Sequence, residues 1–507
     1  MKLLITSKGI IYLLCVSIIM FAFSLIFNYI NFFVWGEIIT GLVGLLIFVG
    51  MFVDLQAQFH FLKILAAATL IGTGMGTFNT YTSVSENLGT DWSIYTGTAG
   101  TSVSYVTVAQ IVVNLYCLFL FLFGNLSTSK YSHATKKNLR QIINLTSNQN
   151  ACFTLLKASF VVSILQLFVL STGLYTFQGL TNEEGVINPF AALVVSAAPT
   201  AVFSLGLLSS KLNLSQTKVN KYLLFLIYGI SLITQLIWFL GGGRRELVYA
   251  AVVFLLGLRF SYVGSRFILN RKNLRSLLMV ILVAPILYIG WKAFIFIRVL
   301  SYREPLLFSA NLFEIIKFAL IQYLSDDSKF LEVVQQHESK NLSTRTFVLN
   351  YLAQLIENTT YKPPLLGQDL WSSFLNSIPR FVFNNKSSLL LNENLYNERY
   401  GLPITDNADS LYFSAYGDFS WLGTFIYPLI LFLVFNLALR FLLFSKLPLF
   451  VNFGFAALTR LSLTGGEGNV TSWIVTFREI LIFFIIFKLL HYFLFRTKLN
   501  HSKFRPL

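Results

Sequence analysis

The stretch GIIYLLCVSIIMFAFSLIF, residues 9–27, carries no charged side chain. Its length is close to the roughly 20 apolar residues that an α-helix needs to cross a bilayer. Lys2 and Lys8 precede it and no small-residue cleavage signal follows, so it reads as a retained first membrane helix. Comparable runs recur at residues 34–53, 60–78, 105–124, 154–175, 191–209, 222–240, 247–263, 277–298, 422–444, 447–462 and 473–495. The third is rich in Gly and Thr and the eleventh is short. The expectation is an all-α, polytopic integral membrane protein of about twelve transmembrane helices.

Composition agrees. The 507 residues are 55% hydrophobic and 12% charged, half the charge of a typical soluble domain, which is about 25%. The net charge of +16 does not describe a nucleic-acid-binding face, because the basic residues sit in short links between apolar runs. One link holds Lys130, Lys136, Lys137 and Arg140, the next Lys211, Lys218 and Lys221, and a third Arg266, Arg271, Lys272 and Arg275. Lys446 and the tail from Arg496 to Arg505 complete the set. The alternate links carry Glu86 and Asp91, Glu183 and Glu184, and one long segment. Residues 300–420 hold nine basic and thirteen acidic side chains, so the remainder of the chain has a balance of +20. The positive-inside rule then places the basic links and both termini in the cytoplasm and the long segment outside it. Trp35, Trp238, Trp421 and Trp473 fall at the outer helix ends of this topology, as an aromatic belt requires.

The chain thus divides into residues 1–298 with helices one to nine, residues 299–421 as a large periplasmic or extracellular loop, and residues 422–507 with helices ten to twelve and the basic tail. No internal repeat is visible, which disfavours a transporter built from two halves. Cys15, Cys117 and Cys152 lie in or beside spans with neither disulfide nor metal spacing, so no metal site and no cofactor are expected.

The loop is too long to be an ordinary connection. Phe347, Val348, Tyr351, Leu352, Leu355 and Ile356 recur at helical spacing, and Leu366, Leu370, Trp371, Phe374, Leu375 and Ile378 repeat the pattern. Two roles fit such helices: a lid lying on the membrane interface, or a small core packed on the transmembrane bundle. Beyond them the loop turns polar, through Ile378-Pro379-Arg380, Lys386, Asn392 to Asn397, Asp406 to Ser410 and Tyr416-Gly417-Asp418-Phe419. Tyr396, Tyr400, Tyr412 and Tyr416 suit either stacking on sugar rings or plain packing.

Cations also stand where the charge rule disfavours them. Gly241-Gly242-Gly243-Arg244-Arg245-Glu246 joins two helices on the outer side. Glycines let backbone approach a ligand, and guanidinium groups hold phosphate bidentately. The same arginines would equally pair with Glu246 or snorkel to the interface. Lys292, Arg298, Arg303, Arg380, Lys386, Arg460 and Arg478 gather toward that face, and ionisable residues within spans mark functional sites. An electropositive outer cavity suits a lipid with a phosphate or diphosphate head.

These features resemble the bacterial oligosaccharide repeat-unit polymerases, the Wzy-type O-antigen polymerases. The resemblance covers the topology of nearly the whole chain. Its local motifs are Gly243-Arg244-Arg245, Ile378-Pro379-Arg380 with Lys386, Asp409-Ser410, and Tyr416-Gly417-Asp418-Phe419 with Gly423. It implies a GT-C-like glycosyltransferase architecture in the bacterial inner membrane and transfer between undecaprenyl-diphosphate-linked oligosaccharides, without metal or nucleotide sugar. The partners implied are the lipid-linked oligosaccharide, the lipid bilayer, a chain-length regulator and a flippase, and no nucleic acid. Such a transfer needs an oriented or deprotonated acceptor hydroxyl and a neutralised diphosphate. Arg244, Arg245 and Arg380, then Lys386, Arg298 and Arg303, are the candidate diphosphate ligands; Asp409, Asp418, Glu393 and His337 are the candidate bases. Each acid also fits a turn or helix cap. An O-antigen ligase shares these features with a different acceptor, and a lipid-linked oligosaccharide flippase would instead line a central cavity with charge.

Overall fold

A computed structural model describes residues 7–53, 61–86, 103–147, 149–172, 189–209, 218–241, 244–261, 317, 321, 347–378, 383, 392–402, 410–445, 448–464 and 468–502. The described residues form helices and no strand. In chain order these are α1 (Ser7–Phe27), α2 (Ile30–Val53), α3 (Phe61–Glu86), α4 (Val103–Ser147), α5 (Gln149–Ser171), α6 (Pro189–Leu208), α7 (Lys218–Gly241) and α8 (Arg244–Ser261). There follow α9 (Phe347–Thr359), α10 (Gln368–Ser377), α11 (Asn392–Tyr400), α12 (Leu411–Phe419), a 3₁₀ turn at Ser420–Leu422, α13 (Gly423–Ser445), α14 (Pro448–Leu463) and α15 (Val470–Ser502). Each expected run except 277–298 is helical over most of its described residues; 277–298, with 60, 173–175, 262–263 and 447, lies outside the described residues.

Among the described residues, seven stretches are long and apolar enough to cross a membrane: Ser7–Phe27, Asn31–Gly50, Ser104–Leu126, Thr154–Ser171, Tyr222–Phe239, Leu411–Leu442 and Val470–Leu489. Phe61–Gly74, Leu193–Leu208, Glu246–Leu258 and Phe450–Leu463 are shorter apolar helices. The outward faces are apolar too: Tyr12, Ile19 and Ile26 on α1 and Leu481, Ile485 and Leu489 on α15 are exposed. Surfaces of this kind belong in lipid. The chain is therefore an all-α membrane protein.

The chain forms two compact units. The first joins residues 1–139, 342–450 and 461–507. In it α1, α2 and α4 meet at buried polar groups: Asn114 donates to Ser17 Oγ and Thr40 Oγ1, each at 3.1 Å. Contacts of this sort hold helices together where lipid offers no hydrophobic drive. The glycines of α3 serve the same end. A Cβ on Gly74 would stand 2.5 Å from the Gly41 backbone nitrogen of α2, so the Gly-rich run that weakened the third expected span is a close helix contact.

The second unit joins residues 140–341 and 451–460. Here α6 and α8 touch through backbone. A Cβ on Gly206 would meet the Phe254 carbonyl oxygen at 2.1 Å, and one on Gly257 would meet that of Phe203 at 2.2 Å. Gln166 of α5 and Gln235 of α7 pair amide to amide, with Gln235 Nε2 also donating to Ser163 Oγ at 3.1 Å. Asn452 of α14 donates to Ser204 Oγ of α6.

The described helices of the long segment do not stand apart from the spans. Helices α9 to α12 belong to the first unit. Tyr412 of α12 packs edge-on against Tyr116, near the midpoint of the Ser104–Leu126 span, with ring centroids 6.4 Å apart. α12 runs into α13 through the 3₁₀ turn, and Gly423 lies so close to α12 that a Cβ there would collide with the Ala415 carbonyl.

Candidate functional site

The four helices α9 to α12 close around Tyr396 and Phe413. The apolar stripe of α9 is buried: Tyr351, Leu352, Leu355 and Ile356 are at most 6% exposed. Tyr351 stacks on Phe413 at 4.8 Å, and Tyr396 meets Phe413 edge-on at 4.5 Å. Ser410 caps α12 by accepting the Phe413 amide at 3.3 Å. Gly417 leaves room for Tyr396, because a Cβ there would stand 2.4 Å from its ring.

Asp418 then holds the start of α10. Its Oδ1 accepts the Asp369 amide at 3.0 Å, and its Oδ2 accepts the Leu370 amide at 3.2 Å and the Tyr427 hydroxyl at 2.6 Å. The preceding turn is tied to the same place, with Leu365 N–H donating to the Gly417 carbonyl at 2.9 Å and Leu366 N–H to the Asp418 carbonyl at 2.7 Å. Leu366 and Gly367 have φ of 53° and 89°, and these four bonds hold that left-handed turn. Tyr396 donates its hydroxyl to Asp369 Oδ2 at 3.0 Å. The far end of α10 meets a cation: Arg478 Nη1 of α15 donates to the Ser377 carbonyl at 2.8 Å. α10 thus has a carboxylate at its amino end and a guanidinium at its carboxyl end, the order its dipole favours.

Burial raises the Tyr396 phenol well above its ordinary value, and the charges of Asp369 and Asp418 add to the rise. Burial pushes the Tyr400 phenol up to about 12; its hydroxyl donates to the Pro363 carbonyl at 3.0 Å. Tyr396, Tyr400, Tyr412 and Tyr416 are all buried, so of the two roles open to them the structure gives packing.

Of the candidate bases, Asp418 is fully buried with both oxygens engaged. Burial and three donors make it a positioning group rather than one presented to a hydroxyl of a sugar. Glu393 is the second residue of α11. Asp409 and His337 lie outside the described residues.

Of the candidate diphosphate ligands, Arg244 and Arg245 open α8. Glu246 beside them accepts from Arg460 Nη2 of α14 at 3.0 Å, a partly exposed ion pair within the second unit. Arg244 and Arg245 are thus the first two residues of α8, Arg460 pairs with Glu246 in its first turn, and a helix amino end favours anions by itself. Arg380, Lys386, Arg298 and Arg303, with Lys292, lie outside the described residues. Among the described residues no group of three His, Cys, Asp or Glu side chains could hold a metal ion.

Sequence reasoning missed Asp369, Tyr427 and the role of Arg478. The signal for Asp369 was its polar stripe, since Asp369, Ser373 and Ser377 repeat every fourth residue. Arg478 was counted with the outer cations, whereas it holds a helix end. Compared with family models, with curated proteins and with solved structures, the chain matches none of them.

Proposed function

We propose that this membrane protein is a glycosyltransferase that joins polyprenyl-diphosphate-linked oligosaccharide repeat units into a surface polysaccharide. The observation that carries the reading is the amino end of α8, where Arg244 and Arg245 open an apolar helix and Glu246 draws in Arg460. A cationic helix amino end flanked by membrane helices suits a diphosphate on a lipid carrier. The motif Tyr416-Gly417-Asp418-Phe419, with Gly423, supports the resemblance to O-antigen polymerases from another side. In it a glycine admits Tyr396, an aspartate caps α10, and a second glycine permits the turn into α13.

In this reading the chain has about twelve spans in a GT-C-like arrangement in the bacterial inner membrane, with both termini cytoplasmic and the site on the opposite face. Arg244 and Arg245 hold the donor diphosphate, with Arg380, Lys386, Arg298 and Arg303 as further ligands. The leaving diphosphate carries away the electron pair of the glycosidic bond, and arginines neutralise that charge. The engagement of Asp418 leaves Asp409, Glu393 and His337 as candidates to orient or deprotonate the acceptor hydroxyl.

The test is reconstitution in liposomes with purified lipid-linked repeat units. A ladder of lengthening products is expected. Transfer of a single unit to another lipid acceptor would identify a ligase instead, and movement across the bilayer without covalent change would identify a flippase.

A further inference from the structure

We infer that α10 is a re-entrant helix immersed in the hydrocarbon of the bilayer, with Leu366, Trp371 and Phe374 turned to the lipid tails.

Its faces are inverted relative to a soluble helix. Asp369, Ser372, Ser373 and Ser377 are buried against the protein, while Trp371 is 60% and Phe374 47% exposed, and Leu366 in the turn before the helix is 78% exposed. Trp371 and Phe374 stack on each other at 5.7 Å on the outside. A helix in water hides its apolar face, and one at the rim of a membrane protein hides its polar face.

Its neighbours set its depth. Ser373 accepts from Thr471 at 3.0 Å and the Ser377 carbonyl accepts from Arg478, so α10 lies along the first two turns of α15 and runs in the same direction. Those turns begin the Val470–Leu489 span. Trp473 and Phe477 within them pack on Phe435 at 5.6 and 5.8 Å, and Phe435 is near the midpoint of α13. The residues beside α10 therefore sit at the level of the apolar spans, not above them. Leu422 of the 3₁₀ turn, Phe425 of α13, and Leu481 and Ile485 of α15 are exposed apolar side chains as well.

Its length and ends fit. Ten residues make a helix of about 15 Å, half of the ~30 Å hydrocarbon core, so α10 enters without crossing. The chain returns, because Tyr396 of α11 reaches Asp369 at the amino end of α10. Lipid cannot satisfy free helix ends; here Asp418 and Arg478 do so from within the protein.

Seven tryptophans contribute to the emission of the chain, so the reporter is the difference between the wild type and Trp371→Phe. Both are reconstituted in nanodiscs of phospholipid brominated along the acyl chains, and titrated separately with aqueous iodide. The emission assigned to Trp371 is expected to be largely lost in brominated lipid and unchanged by iodide. Quenching by iodide without quenching by bromolipid would put the face in water and overturn the inference. Protection from both would mean that protein covers it, which overturns the inference equally. Phe374→Trp in the Trp371→Phe background gives an independent reporter on the same face, with the same expected loss.

Discussion

The carboxylate of Asp418 accepts the backbone amide of Asp369 at 3.0 Å across 49 residues of sequence. Neither residue is next to solvent, and the bond joins the end of α12 to the start of α10. The same carboxylate takes the Tyr427 hydroxyl, so one side chain fastens three helices.

Asp418→Ala should therefore destabilise the first unit by about 3 kcal/mol, since hydrogen bonds to a charged acceptor contribute about 1.5–3 kcal/mol each. Thermal unfolding in detergent measures the loss. Hydrogen exchange should speed up most at the Asp369 and Leu370 amides. Unchanged exchange at those amides would remove Asp418 from this role.

Gly417→Ala should cost about 1–3 kcal/mol, because its Cβ must push the Tyr396 ring aside. Combining it with Tyr396→Leu should cost less than the two substitutions added together. Strict additivity in the melting temperatures would show that the two residues do not meet.

Arg478→Ala should loosen the carboxyl end of α10, with about 1–3 kcal/mol lost at the Ser377 carbonyl. Hydrogen exchange in the last turn of α10 is the sensitive measurement, and Arg478→Lys should recover much of the protection. Exchange equal to wild type in both variants counts against the assignment.

Arg244→Ala and Arg245→Ala should each lower polymer formation by about 10²-fold or more, the usual scale for removing a group that neutralises developing charge. Lysine at either position should rescue poorly, for want of the bidentate fork. Wild-type product ladders from both alanine variants, at normal expression, would sink the diphosphate assignment.

Glu246→Gln and Arg460→Ala should couple weakly in a double-mutant cycle, by about 0.2–1 kcal/mol, because the pair is partly exposed.

The membrane fold was legible because hydropathy and charge report the same physics: apolar runs seek lipid and cations mark the links. It failed to grade α3 properly, since Gly74 looks like a breaker until Gly41 is seen against it. The second amphipathic segment shows the sharper limit. Helical periodicity identifies both α9 and α10 but not which face turns inward. In α9 the apolar stripe is the buried one, whereas in α10 the buried stripe is Asp369, Ser373 and Ser377. The medium decides between them, and the pattern of a helix is the same in either medium. At the site, the sequence offered Asp418 as a base or as a cap of the helix that follows it, whereas its carboxylate caps α10, which precedes it. Its partner was invisible, because nothing local in the sequence ties Asp369 to a residue 49 positions away.

Both groups that complete α10 are made after it. Asp418 leaves the ribosome 49 residues behind the Asp369 amide that it caps, and Arg478 follows Ser377 by 101. When residues 368–377 first emerge, neither end of the helix has a partner, and an uncapped helix is barred from hydrocarbon. If α10 lies in hydrocarbon as inferred, it is expected to enter only after α15 has inserted, and a chain truncated before Arg478 should leave it at the membrane surface.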